Sequence, residues 1–202
     1  MHLYLGLHIN NGCGEMIRIG EKIPDFSVDA LVEGQIKRIK LYDYSGKWLV
    51  LIFYPADFSF VCPTELEDAE KHYSEFKELG AEVFSISTDT AYSHMAWHDT
   101  SPSISKISYP MIADPTGKMC MEFGTYIEDE GLSLRGTFII DTDGILRTIE
   151  VHSNNIGRNM SETLRKLKAA VYVKEHPGEV CPVNWEPGKK SIRPGDNLVG
   201  KI

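Results

Sequence analysis

The chain has no long hydrophobic run: nothing in its 202 residues approaches the roughly 20 apolar positions that a membrane-spanning helix needs. The N-terminus, MHLYLGLHINNG, lacks the basic n-region of a secretory signal, so the expected location is cytoplasmic. Cations are in the minority, 21 Lys and Arg against 29 Asp and Glu for a net charge of −8, and they form no run. That excludes the electrostatic footprint of a nucleic-acid or anionic-membrane binder. Gly12 and Gly14 do not extend into G-x-G-x-x-G, and no other glycine-rich phosphate loop is present. Neither a nicotinamide nor a flavin site is expected, and no bound cofactor. His94 and His98 stand four apart on an expected helix, but the glutamate of H-E-x-x-H is missing, so ordinary core or surface histidines are expected and no metal site. There is no internal repeat. Cysteine is scarce too: positions 13, 62, 120 and 181 are too few and too scattered for a disulfide scaffold, which leaves redox chemistry or burial.

What is present is a reactive setting for Cys62. The run Trp48 to Tyr54 is continuously apolar and reads as a buried strand. Pro63 suits the first turn of a helix, and Leu66, Ala69, Tyr73, Phe76 and Leu79 recur at helical spacing up to Gly80, predicting a helix over about 63–79. Cys62 therefore stands at a helix N-terminus, near unpaired N–H groups and the positive end of the dipole. An unperturbed thiol is only about 3% ionised at pH 7. Making the thiolate the major form takes roughly 2.7 kcal/mol, whereas a helix end supplies about 0.3–1 kcal/mol. A neighbouring arginine, and a hydrogen bond from the Ser59 hydroxyl to the sulfur, are candidate sources of the remainder. The bland alternative is an inert buried cysteine.

At this length one α/β domain with extensions is expected. Residues 1–15 match no periodic template, and Met16 is a second candidate start. Residues 16–175 read as the domain and 176–202 as a C-terminal arm. The segment 81–88 reads as a strand that completes a βαβ unit. A short helix follows around 92–99, then a loop carrying Pro102 and Pro110, and another short helix after Pro115. Residues 134–151 read as a hairpin turning at DTDG, 141–144, and a last helix covers about 159–175. Parallel βαβ, then an antiparallel hairpin and a closing helix, is the order of the thioredoxin-like fold. A disulfide oxidoreductase of that fold carries C-x-x-C at the helix start; here Glu65 fills the second position, so another thiol must come from elsewhere.

The segments FYPADFSFVCPTE (53–65), AWH (96–98), DPTG (114–117), RGTFIID (135–141), IGR (156–158), HPGEVCP (176–182) and the closing LVGKI together resemble the typical two-cysteine peroxiredoxins. This is the class that includes the C subunit of bacterial alkyl hydroperoxide reductase. The resemblance runs from about Met16 to Ile202. It implies a thiol peroxidase that reduces hydrogen peroxide and organic hydroperoxides in antioxidant defence. Cys62 resembles the peroxidatic cysteine that becomes a sulfenic acid. Arg135 resembles the arginine that stabilises thiolate and peroxide, and Pro55 the residue that shields the thiolate. Ser59 stands where the family usually has threonine, keeping the hydroxyl and losing the methyl. Glu65 and Arg158 resemble outer members of the network, with an ordinary helix charge and a loop arginine as their alternatives. Cys181 fits the resolving cysteine, which in this class serves the other subunit. The implied unit is a homodimer joined by a Cys62–Cys181 disulfide, with a decameric ring as a further possibility, and an intramolecular bridge remains the minor alternative.

Lacking a redox cofactor site, the chain would draw electrons by thiol exchange from a separate reductase, either a flavoprotein or a thioredoxin-like protein. Cys120 is expected in the core and Cys13 has no assignment. The loop TSPSISKISYP and the tail past Trp185 lack the Gly-Gly-Leu-Gly and Tyr-Phe stretches of easily overoxidised relatives, which implies resistance to overoxidation. An oligomeric holdase-type chaperone and a protein disulfide oxidoreductase are the rival readings.

Overall fold

Strand β3 (Trp48–Phe53) is the centre of the molecule and is buried along its whole length. Its side chains alternate between two cores, as a strand period of 2 requires. Val50 and Ile52 face a cluster with Leu66, Phe76, Trp97, Leu164 and Leu167; Leu49, Leu51 and Phe53 face one with Phe84, Met119, Phe123 and Phe138. A sheet buried on both faces gives the continuous apolar pattern seen in the sequence. The computed structural model describes residues 16–201.

From β3 the chain enters α1 (Cys62–Lys71) and α2 (Tyr73–Glu78), then returns along β4 (Ala81–Ser87), parallel to β3 with Val50 opposite Val83. Helix α3 (Ala91–Thr100) leads to β5 (Met111–Ala113), and α4 (Lys118–Glu122) to the small pair β6 (Tyr126–Ile127) and β7 (Leu132–Ser133). The hairpin β8 (Arg135–Ile140) and β9 (Leu146–His152) follows, with β8 antiparallel to β3. Helix α5 (Met160–Glu175) is capped by Asn159, whose side chain accepts from the N–H groups of Ser161 and Glu162. This is the thioredoxin-like arrangement expected from the sequence.

The small β6–β7 pair has no counterpart in the sequence reading, and two larger features depart from expectation. The helix over 63–79 is divided at His72, whose N–H bonds to Ala69 O, one residue tighter than α-helical spacing. The backbone of His72 stays near the helical region (φ −98°, ψ 0°), so Leu66, Ala69 and Phe76 still share the buried side. Ahead of β3 stands a hairpin without a sequence-based expectation, β1 (Ser27–Val32) and β2 (Gln35–Lys40). Its two-residue turn places Glu33 at φ +51° and Gly34 at φ +73°, as a twist-matched hairpin demands. The hairpin completes a seven-stranded sheet of order β2-β1-β5-β4-β3-β8-β9. After α5 the arm is mostly irregular, with one bridge between Val180 and Ile192 and a short 3-10 turn at Asp196–Leu198.

Candidate active site

Cys62 is the first residue of α1 and is completely buried. Pro63 follows inside the first turn, where its missing N–H breaks no helical bond. One turn along, Glu65 is also buried, 2% exposed, and it faces two guanidinium groups. Arg158 binds it in a fork, Nε to Oε1 at 2.9 Å and Nη2 to Oε2 at 3.0 Å, and the Arg158 backbone N–H adds a bond to Oε1 at 2.8 Å. Arg135 donates from Nη1 to Glu65 Oε2 at 2.7 Å and from the same nitrogen to Cys62 Sγ at 3.3 Å. Its Nε and Nη2 both donate to the Asn154 carbonyl, at 3.0 and 2.7 Å, so every face of the guanidinium is fixed.

Two cations and one carboxylate leave one positive charge uncompensated in a buried place, and Cys62 Sγ is the group set against it. A fixed cation thus stands beside the sulfur in addition to the helix end. Burial by itself would push the Glu65 carboxyl up; the hydrogen bonds of Arg158 and the charges of Arg158 and Arg135 outweigh it, and the carboxyl lies below its ordinary value. Glu65 thus stays ionised and can orient both arginines.

The sequence-derived residues separate into three groups. Cys62, Glu65, Arg135 and Arg158 come together, and the helix-surface and loop alternatives for Glu65 and Arg158 fall away because both are buried and paired. Pro55 and Ser59 lie on the connection between β3 and α1, Pro55 buried and Ser59 half-buried. The Ser59 hydroxyl donates to Ala56 O at 2.8 Å and not to the sulfur, which corrects that expectation. The bond to the carbonyl uses the hydroxyl's one proton, and the hydroxyl's lone pairs stay available to accept. Cys181 stands apart. It is half-buried on the arm against α5, its thiol directed at Ala169 O at 3.8 Å, in a groove with Arg147, Thr148, Lys166 and Val173. Burial pushes the Cys181 thiol up, Arg165 partly offsets this and Glu179 adds to it. Among the described residues Cys62, Cys120 and Cys181 are free thiols, and Cys13 lies outside the described residues.

Cys120 is fully buried, and burial with the Asp114 charge drives its thiol far up, which makes it packing. His94 is in the core, with Nδ1 against Asp57 and Nε2 against Ile112 O, and His98 Nε2 faces Ile107 O.

Some site residues carried no recognisable sequence signal. Asn154 acts through its backbone carbonyl, which any residue type supplies. Gly136 gives its carbonyl to Arg158 Nη1 at 2.7 Å, and a Cβ there would meet Thr125 Cγ2 at 2.6 Å and Phe138 Cε2 at 2.7 Å.

The comparisons with known proteins agree with this geometry. Residues 19–149 match the AhpC/TSA family, and residues 172–199 match the C-terminal domain of 1-Cys peroxiredoxin. Alkyl hydroperoxide reductase C of Pseudomonas aeruginosa is 49% identical over 187 residues, covering 93% of this chain and all of the relative. Its counterpart in Salmonella typhimurium is 50% identical with the same coverage. The crystal structure of Enterococcus faecalis AhpC is similar with a TM-score of 0.79 at 46% identity, over 81% of this chain and 98% of that one. The reduced 2-Cys peroxiredoxin of Plasmodium vivax gives a TM-score of 0.84 at 32% identity, over 89% and 94%. With a family match over well over half of its length and relatives of near-equal extent, the chain belongs to the AhpC/TSA family.

Proposed function

We propose that the chain is a thiol-dependent peroxidase in which Cys62 reduces hydrogen peroxide and small organic hydroperoxides. The observation that carries this reading is the buried Cys62 sulfur at 3.3 Å from an Arg135 nitrogen that Glu65 and Asn154 hold in place. The thiolate attacks one peroxide oxygen, an S–O bond forms as the O–O bond breaks, and the leaving oxygen takes a proton to depart as water or alcohol. Arg135 is set to stabilise negative charge both on the sulfur before attack and on the oxygens during it. Pro55 keeps water from the thiolate, and Ser59 accepts a hydrogen bond from the peroxide.

The product sulfenic acid is resolved by Cys181, whose sulfur displaces water to form a disulfide. Within one chain this pairing is unfavourable. Arg135, beside Cys62, pairs with His152 at one end of the β8–β9 hairpin, whereas Thr148, beside Cys181, pairs with Ile139 four residues further along β8. At about 3.3 Å per residue those two hairpin positions are roughly 13 Å apart, which supports a partner from another chain over an intramolecular bridge. In this reading Cys181 comes from a second copy of the chain, as the resemblance to the two-cysteine class implies, which makes the unit a homodimer that could assemble further into a decameric ring. Strand β9 is one of the sheet's two edges and exposes Ile149 and Val151, a surface suited to such pairing. The division of labour is a thioredoxin-like body, 16–175, and a resolving arm, 176–202. A separate disulfide reductase, flavoprotein or thioredoxin-like, returns the electrons, which fits a reducing cytoplasm. No helix among the described residues is long and apolar enough to cross a membrane.

Cys62→Ser tests the reading: peroxide consumption should vanish. Retained turnover would overturn it, and disulfide exchange with protein substrates in the absence of peroxide would favour the oxidoreductase. Peroxide-treated protein should run as a covalent dimer on a non-reducing gel, and Cys181→Ser should abolish that band.

A further inference from the structure

The connection between β3 and α1 carries a second buried polar cluster that the thiol chemistry does not use. Tyr54 and His94 are fully buried and Asp57 nearly so. Tyr54 Oη donates to Asp57 Oδ1 at 2.7 Å, and Asp57 Oδ2 stands 2.8 Å from His94 Nδ1. His94 Nε2 faces the Ile112 carbonyl at 3.0 Å. Both ring nitrogens thus face oxygen atoms, and the imidazole is held at both ends within the core. Burial first, and then the Asp57 charge, hold the Tyr54 hydroxyl protonated, so it remains a donor. The Asp57 backbone N–H donates to Asp89 Oδ2 at 2.8 Å. One loop residue is in this way tied to α3, to β5 and to the turn after β4.

The next residue pulls the other way. Phe58 has φ +54°, the left-handed region in which a bulky side chain is strained. Its largely exposed ring leans on Trp97, centroids 6.0 Å apart, and Trp97 in turn lies 6.1 Å from the ring of Tyr54. Phe60, two residues further, is 94% exposed. A strained, exposed turn beside a deeply buried anchor is an element with two available states. Since Cys62 is wholly buried in the first turn of α1, no second sulfur reaches it until that turn opens.

We propose that Asp57, together with His94 and Tyr54, is a latch that holds the turn 55–61 closed and so sets how Cys62 sulfenic acid is partitioned between disulfide and further oxidation. The proposal rests on the Cys62–Cys181 reading above. In the closed state a second peroxide oxidises the sulfenic acid to sulfinic acid, transferring one oxygen and leaving as water or alcohol. In the open state Cys181 forms the S–S bond and water is released. Tyr54, Asp57 and His94 are positioning residues, acting through the loop and not on the peroxide.

The test uses the full chain exposed to graded hydrogen peroxide under turnover with dithiothreitol, with Cys62 disulfide and sulfinic acid measured by mass spectrometry. Tyr54→Phe removes one hydroxyl and should raise the peroxide concentration giving half sulfinic acid about two- to tenfold; Asp57→Asn should raise it further. The rate of the first oxidation at limiting peroxide should be unchanged in Tyr54→Phe, which a merely structural lesion would not achieve. An unchanged half-sulfinic concentration, or a slowed first step with unchanged partition, overturns the latch. If Asp57→Asn does not fold, Tyr54→Phe decides alone. Wild-type protein that forms no Cys62–Cys181 disulfide would instead overturn the underlying relay; a normal wild-type disulfide with unaltered partition in Tyr54→Phe removes the latch only.

Discussion

The two cysteines assigned to the relay sit in opposite kinds of surroundings. Cys62 opens the helix that follows a strand buried on both faces, is sealed from solvent and is contacted by a guanidinium held at every nitrogen. Cys181 sits on an irregular arm, half-buried, with a weak sulfur contact to a helix carbonyl and a thiol pushed up by burial and Glu179. A rigid, charge-compensated setting suits the sulfur that must be a nucleophile before any reaction has occurred. A loosely held, protonated thiol suits the one that acts only afterwards. The contrast teaches that reactivity is built into one cysteine by a fixed cation and into the other by access.

The contrast would be broken most severely at Arg135. Arg135→Ala should lower the rate constant of Cys62 with peroxide by about 10²–10³-fold, the usual loss for a preorganised donor, while alkylation of Cys181 is unaltered; stopped-flow oxidation and mass-resolved alkylation check both halves. Equal losses at the two cysteines would mean that the arginine supports the fold and not the chemistry. Next in size is Glu65→Gln, which leaves two buried guanidiniums without their carboxylate and should cost about 3 kcal/mol or more in chemical denaturation. Glu65 also has a pH signature. Its folded value lies below the ordinary 4.5, so its contribution is present above that pH and is lost as the pH falls further, toward the depressed folded value. Glu65→Gln should therefore flatten the stability profile below about pH 4.5.

Smaller effects sharpen the arm's side of the comparison. Trp185 is 2% exposed; its carbonyl accepts from Arg165 at 2.9 Å, and its indole N–H donates to Lys189 O at 3.1 Å. Trp185→Ala should release the arm, so that Cys181 alkylation and proteolysis after Glu175 accelerate several-fold while oxidation of Cys62 keeps its rate. Smallest is Glu179→Gln, which removes a half-buried negative charge near Cys181 and should move the pH profile of disulfide formation to lower pH. The accompanying gain in rate near neutrality should be under about fivefold, in the range of a surface pair.

The strand-to-helix setting of Cys62 was legible in the sequence because one strand and one helix face carry it, and both have strong periods. Arg135, Glu65 and Arg158 were reachable through family resemblance, but their mutual geometry was not, since it joins positions 70 and 93 residues apart. The break at His72 left no mark because the apolar face continues across it. The β1–β2 hairpin escaped because its turn is Glu-Gly, without the usual Asn or Asp, and β2 is a charged edge strand, Gln-Ile-Lys-Arg-Ile-Lys. His94 was compared with His98 by spacing along a helix, whereas its working partner, Asp57, lies 37 residues away. Local periodicity reports which face of an element is buried; it is silent on which buried polar groups meet.

Glu65 binds both arginines with its two oxygens, and this constrains how the protein can change. Replacing Glu65 by a neutral residue strands two cations, replacing Arg135 takes the cation from the sulfur, and replacing Arg158 removes the fork that holds Glu65, so no single step out of the arrangement is neutral. The three charged positions form one heritable unit. A lineage that abandoned this way of activating Cys62 would have to exchange all three together, and drift at any one of them would be filtered first by folding and only then by catalysis.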